Sequence, residues 1–240
     1  MAHKTEPLSL DKLSEKEFPF INKLSREQED MVTKLFKKKK VIVDSIAGSG
    51  KTSVLTQAMK ALQDKQYITT IYYVVFPVQE GSLGYLPGGV SEKIKEYAVP
   101  FVQALVKAGV NPQLLDLDDM CNVFTGGPYK VVPHTFLRGR TFENVGAIVD
   151  EIQNGTVDEI RKTLTRFEDD CYIAMAGHNG QIDIEKSQSG FSELKHHFKM
   201  GLETGEYTDI AFAELTYDFR GPFSSFVDKL GRYTIATPTK

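Results

Sequence analysis

The chain has 240 residues, of which 41% are hydrophobic and 25% are charged. These ordinary proportions exclude a disordered or fibrous protein. The formal net charge is −3, which excludes a protein that binds nucleic acid or anionic membranes through its overall charge. Any contact with nucleic acid must therefore be a local patch. At this length we expect one large domain or two small ones.

Cysteine usage and the N-terminal residues indicate where the chain works. Cys121 and Cys171 have neither C-x-x-C nor metal-ligand spacing, so we expect two reduced thiols in or near the core. Residues 1–12 carry acidic side chains and no apolar stretch, which argues against a signal peptide. The most apolar run, residues 67–78, is shorter than the roughly 20 residues that span a bilayer. We therefore expect a cytoplasmic protein without membrane contact.

Helical and strand patterns alternate along the first part of the chain. Apolar side chains at three- and four-residue spacing predict a helix over residues 25–37. The β-branched run at 41–43 predicts a short strand, followed by a glycine-containing turn and a helix to about residue 62. A second buried strand is predicted over residues 68–76, which are rich in Ile, Thr, Tyr and Val.

The same alternation continues to the end of the chain. Helices are predicted at 91–108, with a break near Pro100, at 112–120, and from a capping box formed by Thr156 and Glu159 to about residue 167. Further strands are predicted at 131–136, 147–149, 171–176 and 210–215. Continuous apolar strands alternating with helices indicate an α/β fold with a mostly parallel sheet sandwiched between helices. No linker separates two domains, so we expect one.

The strongest motif is S-I-A-G-S-G-K-T at residues 45–52, between a predicted strand and a predicted helix. Glycines allow backbone N–H groups to surround phosphate, and the N-terminal end of the helix faces it. The lysine can reach the β- and γ-phosphates, and the threonine hydroxyl can hold Mg²⁺. The usual motif begins with Gly, where this chain has Ser; the alternative is a chance G-K-T at an ordinary turn. The predicted nucleotide-binding residues are Ser45, Ile46, Ala47, Gly48, Ser49, Gly50, Lys51, Thr52 and Ser53.

A pair of acids follows the predicted strand at 147–149. Asp150 is a candidate for holding the Mg²⁺ shell, and Glu151 for orienting and polarising the attacking water. The alternative is two solvated acids that begin a loop. The next strand runs into G-H-N-G-Q, where Gln181 is a candidate sensor of the γ-phosphate.

Four further motifs accompany the phosphate-binding turn. They are L-G-Y-L-P-G-G at 83–89, R-G-R-T at 138–141, V-D-E-I-Q-N at 149–154 and G-H-N-G-Q-I-D-I at 177–184. In order and spacing, from about residue 24 to residue 230, the set resembles the PhoH-like ATPases. The resemblance implies a single RecA-like P-loop domain, close to the first motor domain of superfamily 1 helicases, that binds ATP and Mg²⁺. It divides the chain into an N-terminal extension (1–23), an ATPase domain (24–232) and a C-terminal tail (233–240).

The comparison with helicases adds two candidate site residues, and one position departs from the family pattern. Gln28 matches the glutamine that contacts adenine, although Ser25-x-x-Gln28 is equally the pattern of a capping box. Gln153 matches the D-E-x-Q signature, and the helicases tolerate a residue other than Gly at the position of Ser45. His178 stands where the family usually has Asp.

Several basic residues have two interpretations each. Lys93 is either a solvated helix residue or a contact for nucleic acid or a neighbouring subunit. Arg138 and Arg140 either bind phosphate or pair with an acid such as Glu143. The lysines at 37–40 either complement a helix C-terminus, which is the simpler interpretation, or contact nucleic acid. His196 and His197 lack ligand spacing and are expected on an exposed helix.

The resemblance implies hydrolysis of ATP to ADP and phosphate, coupled to RNA or single-stranded nucleic acid. One alternative is a nucleotide-dependent assembly or interaction module with little turnover. A small-molecule kinase is disfavoured, because an Asp-Glu pair suits the activation of water.

Phosphoryl transfer in this class usually needs an arginine finger, and we see no second motor domain that would supply one. Arg220 is the first candidate and Arg166 the second, from a neighbouring subunit or from a C-terminal segment that folds back. The alternative for Arg220 is an ion pair with Asp218 or Asp228. A finger from a neighbour requires a head-to-tail interface, which closes into a ring. We therefore expect a homo-oligomeric ring, with a hexamer as the predicted number.

Overall fold

The computed structural model describes residues 6–77, 90–122, 124–228 and 230, and the side chains from residue 94 onward within the second range. The predicted L-G-Y-L-P-G-G motif, the side chain of Lys93 and the predicted C-terminal tail lie outside the described residues.

Six strands form one sheet. They are β1 (Lys40–Ser45), β2 (Ile71–Val75), β3 (Tyr129–Pro133), β4 (Gly146–Asp150), β5 (Tyr172–Gly177) and β6 (Ala211–Leu215). The order is β3-β2-β4-β5-β1-β6, and every neighbouring pair is parallel. Because all six carboxyl ends meet at one edge, the residues that follow β1, β4, β5 and β6 are neighbours. The α/β fold predicted from the sequence is confirmed.

The described helices cover the two faces of the sheet. They are α1 (Arg26–Lys38), α2 (Lys51–Asp64), α3 (Val90–Lys107), α4 (Leu117–Met120), α5 (Val157–Leu164), α6 (Phe191–Thr204) and α7 (Pro222–Val227). Short 3₁₀ turns lie at Leu10–Lys12, Ile21–Lys23, Pro112–Leu114, His134–Leu137, Ile152–Asn154 and Lys186–Gln188.

Alternating side chains of the strands divide the core into two layers. In β1, Val41 and Val43 join the cluster that contains α1, α2 and α3 residues, whereas Ile42 joins the cluster of α5 and α6. This alternation follows from the two-residue period of a strand. The P-loop thus leaves a strand that is buried on both faces.

Two predicted boundaries were wrong. Helix α3 runs through Pro100 without a break. Proline has no N–H, so the carbonyl of Glu96 loses its usual donor. The helix continues because Pro100 and Glu96 both face solvent. The predicted helix at 112–120 is instead the short turn Pro112–Leu114 followed by α4. Both predicted capping boxes are present, at Ser25 and at Thr156.

The described part of the predicted N-terminal extension packs on the core. Leu8, Leu13 and Phe18 are buried with α1 and α2, and the N–H of Phe20 donates to Gln57 Oε1 at 2.9 Å. The two cysteines are free and buried, as predicted. Burial raises the pKa of Cys171 to about 11. Among the described residues, no helix is both long and apolar enough to cross a bilayer.

Candidate nucleotide-binding site

The predicted P-loop connects β1 to α2 at the carboxyl edge of the sheet. Gly48 and Gly50 have φ values of 77° and 75°, in the left-handed region that glycine adopts without strain. Gly50 is the N-cap of α2, so the free N–H groups of the first helical turn point into the turn. A cavity of about 210 Å³ lies here, lined by Ile46 and by residues 48–53.

Gly48 is also required because there is no room for a side chain at this position. A Cβ at this position would overlap Asp218 Oδ1 and would lie 2.5 Å from Arg220 Nε. The segment that follows β6 therefore rests directly on the P-loop.

The ammonium of Lys51 meets the two acids that follow β4. Its Nζ lies 3.0 Å from Glu151 Oε1 and 3.6 Å from Asp150 Oδ1. Burial by itself would lower the pKa of Lys51, but the two carboxylates together raise it above the ordinary value. Lys51 is thus a charged group held where phosphate would bind.

Asp150 is buried and fully hydrogen-bonded. Its Oδ2 accepts from the Thr52 hydroxyl at 3.0 Å and from the Tyr73 hydroxyl at 2.7 Å, and its Oδ1 accepts from the N–H of Glu151 at 3.0 Å. Tyr73 lies in the strand predicted over residues 68–76 and is buried, but its contact with Asp150 was not predicted. The alternation along β2 could have placed Tyr73 on the α2 face, and only the strand order shows that β4 lies beside it.

Glu151 has φ 54° and ψ 35°, an uncommon conformation for a residue other than glycine. Such strained positions often occur at functional sites. Gln153 Nε2 donates to Glu151 Oε2 at 2.6 Å and to the carbonyl of Gln181 at 2.9 Å. The N–H of His178 donates to Gln153 Oε1 at 3.2 Å. The buried amide of Gln153 therefore joins the loops after β4 and β5, and it brings Gln181 to the site through its backbone.

An ion-pair cluster that the sequence did not predict lies beside the P-loop. Asp44, one residue before Ser45, contacts His178 Nδ1 at 2.9 Å and Lys195 Nζ at 2.5 Å. Burial by itself would raise the pKa of Asp44, but these two partners lower it below 3.8. His178, which departs from the family pattern, here pairs with an acid of the neighbouring strand.

Gln28 makes one contact that the sequence predicted and one that it did not. It forms the capping box with Ser25, whose N–H donates to Gln28 Oε1 at 3.1 Å. Its Nε2 donates to the carbonyl of Ser49 at 2.8 Å. The capping box is therefore present, and the amide also ties α1 to the P-loop.

The candidate arginines lie at different edges of the sheet. Arg220 lies against Gly48 of the P-loop of its own chain. Its Nε lies 3.0 Å from Asp218 Oδ1 and its Nη2 lies 3.3 Å from Asp228 Oδ2. This position is the folded-back source that the sequence left open, and the predicted alternative of an ion pair is present. Arg166 donates from Nε to the Lys162 carbonyl at 3.2 Å, at the amino edge of the sheet, away from the P-loop of its own chain.

The other basic residues contact protein or solvent. Lys38 donates to the Thr208 carbonyl at 3.1 Å and buried Lys40 to the Asp169 carbonyl, while Arg140 stacks 5.5 Å from the ring of exposed Phe124. Arg138 is exposed, as are the histidines at 196 and 197 on α6.

The residues present fit a nucleotide with Mg²⁺. The hydroxyl of Ser49, which lines the cavity, is buried without a hydrogen-bond partner among the described residues, as is that of Ser45 at the end of β1. The phosphate-binding turn therefore has a polar group that a ligand could satisfy. No cluster of three His, Cys, Asp or Glu that could hold a metal occurs in the described part of the chain. Thr52 and Asp150 instead offer two adjacent oxygen donors, which suits Mg²⁺ because this ion keeps several waters and shares its shell with phosphates.

The parallel sheet, the glycine turn between β1 and α2, and the acids after β4 define a P-loop protein of the NTPase class. The family described as PhoH-like protein matches residues 20–216. The chain belongs to this PhoH-like family of P-loop NTPases.

Curated relatives agree with this assignment. The chain is 35% identical over 140 residues to a PhoH-like protein of Mycobacterium tuberculosis H37Rv, covering 58% of this chain and 38% of the relative. It is 32% identical over 156 residues to a PhoH-like protein of Bacillus subtilis (64% and 47%). It is also 32% identical over 157 residues to Protein PhoH of Escherichia coli K12 (64% and 43%). The chain thus spans less than half the length of these relatives.

Proposed function

We propose that this chain binds ATP with Mg²⁺ and hydrolyses it to ADP and phosphate. One observation carries the proposal. Lys51 of the P-loop lies 3.0 Å from Glu151, the residue after β4, and Thr52 lies 3.0 Å from Asp150, the last residue of β4. This supports the proposal because an ammonium suited to phosphate, a hydroxyl, a buried carboxylate and a half-buried carboxylate lie together at the P-loop.

Phosphate binding would change the partner of Lys51. Its ammonium pairs with Glu151 in the structure. A triphosphate in the turn would attract the same ammonium, because it carries more negative charge and receives backbone N–H groups as well. Glu151 would then be released to face water, so nucleotide binding itself would prepare the base.

Glu151 would orient and polarise the water for in-line attack on the γ-phosphoryl group. Gln153 holds one oxygen of this carboxylate, which leaves the other for the water. Thr52 and Asp150 would hold Mg²⁺, which supplies neutralising charge to the phosphate oxygens. Gln181, beside Gln153, would respond to the γ-phosphate.

Gln28 would contact the adenine. Its Nε2 uses one N–H on the Ser49 carbonyl, and an amide has a second hydrogen to donate. A base edge beside the P-loop could therefore be recognised without breaking the contacts of Gln28.

We further propose that hydrolysis is coupled to RNA or single-stranded nucleic acid. The support is local: Arg140 stacks on the exposed ring of Phe124, and Arg138 is exposed nearby in sequence. Aromatic rings and arginines together bind bases and phosphates of single strands. This is the kind of patch that a chain of net charge −3 requires.

The experiment measures phosphate release by the wild type and by Glu151→Gln, with and without RNA or single-stranded DNA, across a salt series. We expect Glu151→Gln to bind ATP and to lose turnover by at least about 10². Stimulation by nucleic acid should weaken as salt rises, because phosphate contacts release counterions. Equal turnover in both proteins would contradict the role of Glu151.

A nucleotide-dependent assembly module is the second candidate. It is favoured by exposed aromatic side chains on and before α7, which are Tyr217, Phe219, Phe223 and Phe226. We also propose that the chain forms a homo-oligomeric ring, a hexamer. Sedimentation with and without ATP and Mg²⁺ tests it, and nucleotide-dependent assembly with little phosphate release would favour the second candidate.

A further inference from the structure

The buried phenol of Tyr73 lies on the candidate magnesium ligand. Its hydroxyl donates to Asp150 Oδ2 at 2.7 Å, and the Thr52 hydroxyl donates to the same oxygen at 3.0 Å. The two residues that would hold Mg²⁺ and the phenol therefore converge on one carboxylate oxygen.

The ring of Tyr73 has little freedom to leave this position. It stacks on Phe101 of α3 with centroids 5.1 Å apart and planes 3° from parallel. Tyr73 is 4% exposed and Asp150 is 3% exposed. A phenol has one O–H to donate, and in this fixed position the hydroxyl donates it to Asp150 Oδ2.

The two oxygens of Asp150 have different partners. Oδ1 lies 3.6 Å from Lys51 Nζ and accepts from the N–H of Glu151, whereas Oδ2 accepts from the phenol and from the Thr52 hydroxyl. Without the phenol, Oδ2 would keep only the threonine hydroxyl, which is itself the second candidate metal ligand.

We propose that Tyr73 is a positioning residue that holds Asp150 in the orientation that binds Mg²⁺ together with Thr52. This role rests on the proposed function. Hydrogen-bond partners of metal ligands commonly set metal affinity, and their loss typically costs 10–100-fold.

The test compares Tyr73→Phe with Tyr72→Phe. Tyr72 and Tyr73 are adjacent in β2, and each change removes one phenolic oxygen. Tyr72 serves as the control because it packs on the other face of the sheet, edge-on to Phe142 with ring centroids 4.9 Å apart. Binding of a fluorescent ATP analogue is measured in EDTA and during a Mg²⁺ titration, together with the melting temperature. We expect Tyr73→Phe to raise the half-saturating Mg²⁺ concentration about tenfold. Its affinity in EDTA should stay within twofold of the wild type, and Tyr72→Phe should match the wild type in both.

A double-mutant cycle separates positioning from general support of the fold. In an Asp150→Asn background, Tyr73→Phe should change the half-saturating Mg²⁺ concentration by less than twofold, because the ligand it orients is gone. An equally large effect in that background would overturn the proposal.

Two other results would overturn it. One is an unchanged half-saturating Mg²⁺ concentration in Tyr73→Phe. The other is a loss of affinity for the ATP analogue that is equal in EDTA and in Mg²⁺. If the wild type itself bound nucleotide without any response to Mg²⁺, the proposed function would fail together with this role. If the wild type responded and Tyr73→Phe responded equally, only the role of Tyr73 would fail.

Discussion

The backbone N–H of Phe219 donates to the carbonyl oxygen of Gly48 at 3.0 Å. A second bond, from the N–H of Ile46 to the Leu215 carbonyl at 3.1 Å, holds the start of the same loop to the end of β6. The first half of the P-loop is therefore bonded at two points to β6 and the segment that follows it, and a nucleotide that rearranges one must act on the other.

Gly48→Ala should destabilise the protein more than Gly205→Ala does. The two glycines have nearly equal φ values, +77° and +76°, but a Cβ at Gly205 meets nothing within 4 Å, whereas one at Gly48 overlaps Asp218. The control thus carries only the backbone strain, about 1–2 kcal/mol. Urea unfolding measures both variants. Equal losses would show that the Asp218–Arg220 pair moves aside without cost.

Arg220→Ala should reduce turnover, and mixing it with Glu151→Gln should restore none. The guanidinium contacts the P-loop of its own chain, so we expect it to act there, with an effect on the scale of an arginine finger, about 10³ or more. Phosphate release by the two variants, alone and mixed, measures this. Recovery on mixing would instead establish the contribution in trans that the sequence predicted.

Lys51→Ala should abolish tight nucleotide binding, because the phosphates lose the cation that the P-loop presents to them. Lys60→Ala is the matched control in the same helix, since Lys60 pairs only with Asp64 on the surface among the described residues. Binding of a fluorescent nucleotide to both variants gives the measurement. An affinity of Lys51→Ala within threefold of the wild type would contradict the P-loop assignment.

Gln28→Ala should weaken the discrimination between ATP and GTP, whereas Ser25→Ala should not. Both changes break the capping box and should cost about 1 kcal/mol of stability. Only the first removes the amide from the Ser49 carbonyl. Competition binding of the two nucleotides, with thermal unfolding beside it, distinguishes the roles. Equal ATP preference in both variants would leave Gln28 with a structural role alone.

Asp44 should make stability depend on pH in acid. Its folded-state pKa lies below 3.8 because of Lys195 and His178, although burial opposes them. Its contribution is therefore complete above that ordinary value and is lost as the pH falls through the lowered pKa. The free energy of unfolding of the wild type minus that of Asp44→Asn, followed from pH 6 to pH 3, should shrink only as the pH falls below that ordinary value. Parallel curves would contradict it.

The local elements of the site followed from the sequence, because strand and helix patterns and the glycine turn depend on near neighbours. The contacts between distant residues did not follow. Tyr73 reaches Asp150, and Asp44 reaches His178, only because the sheet places β4 beside β2 and β1 beside β5. The continuation of α3 through Pro100 depended on which side of the helix faced solvent, and periodicity alone did not show it.

Phe18 shows that the hydrophobic core begins before the residues that match the family. The family match begins at residue 20, yet Phe18 is completely buried against the helical layer above β1. A fragment trimmed to the matched residues would lose a core ring, and removing a buried phenylalanine side chain typically costs about 3–5 kcal/mol. That is a large part of the stability of an ordinary domain. Expression boundaries chosen from sequence similarity would therefore yield a weakened P-loop domain, because the segment before residue 20 contributes to its core.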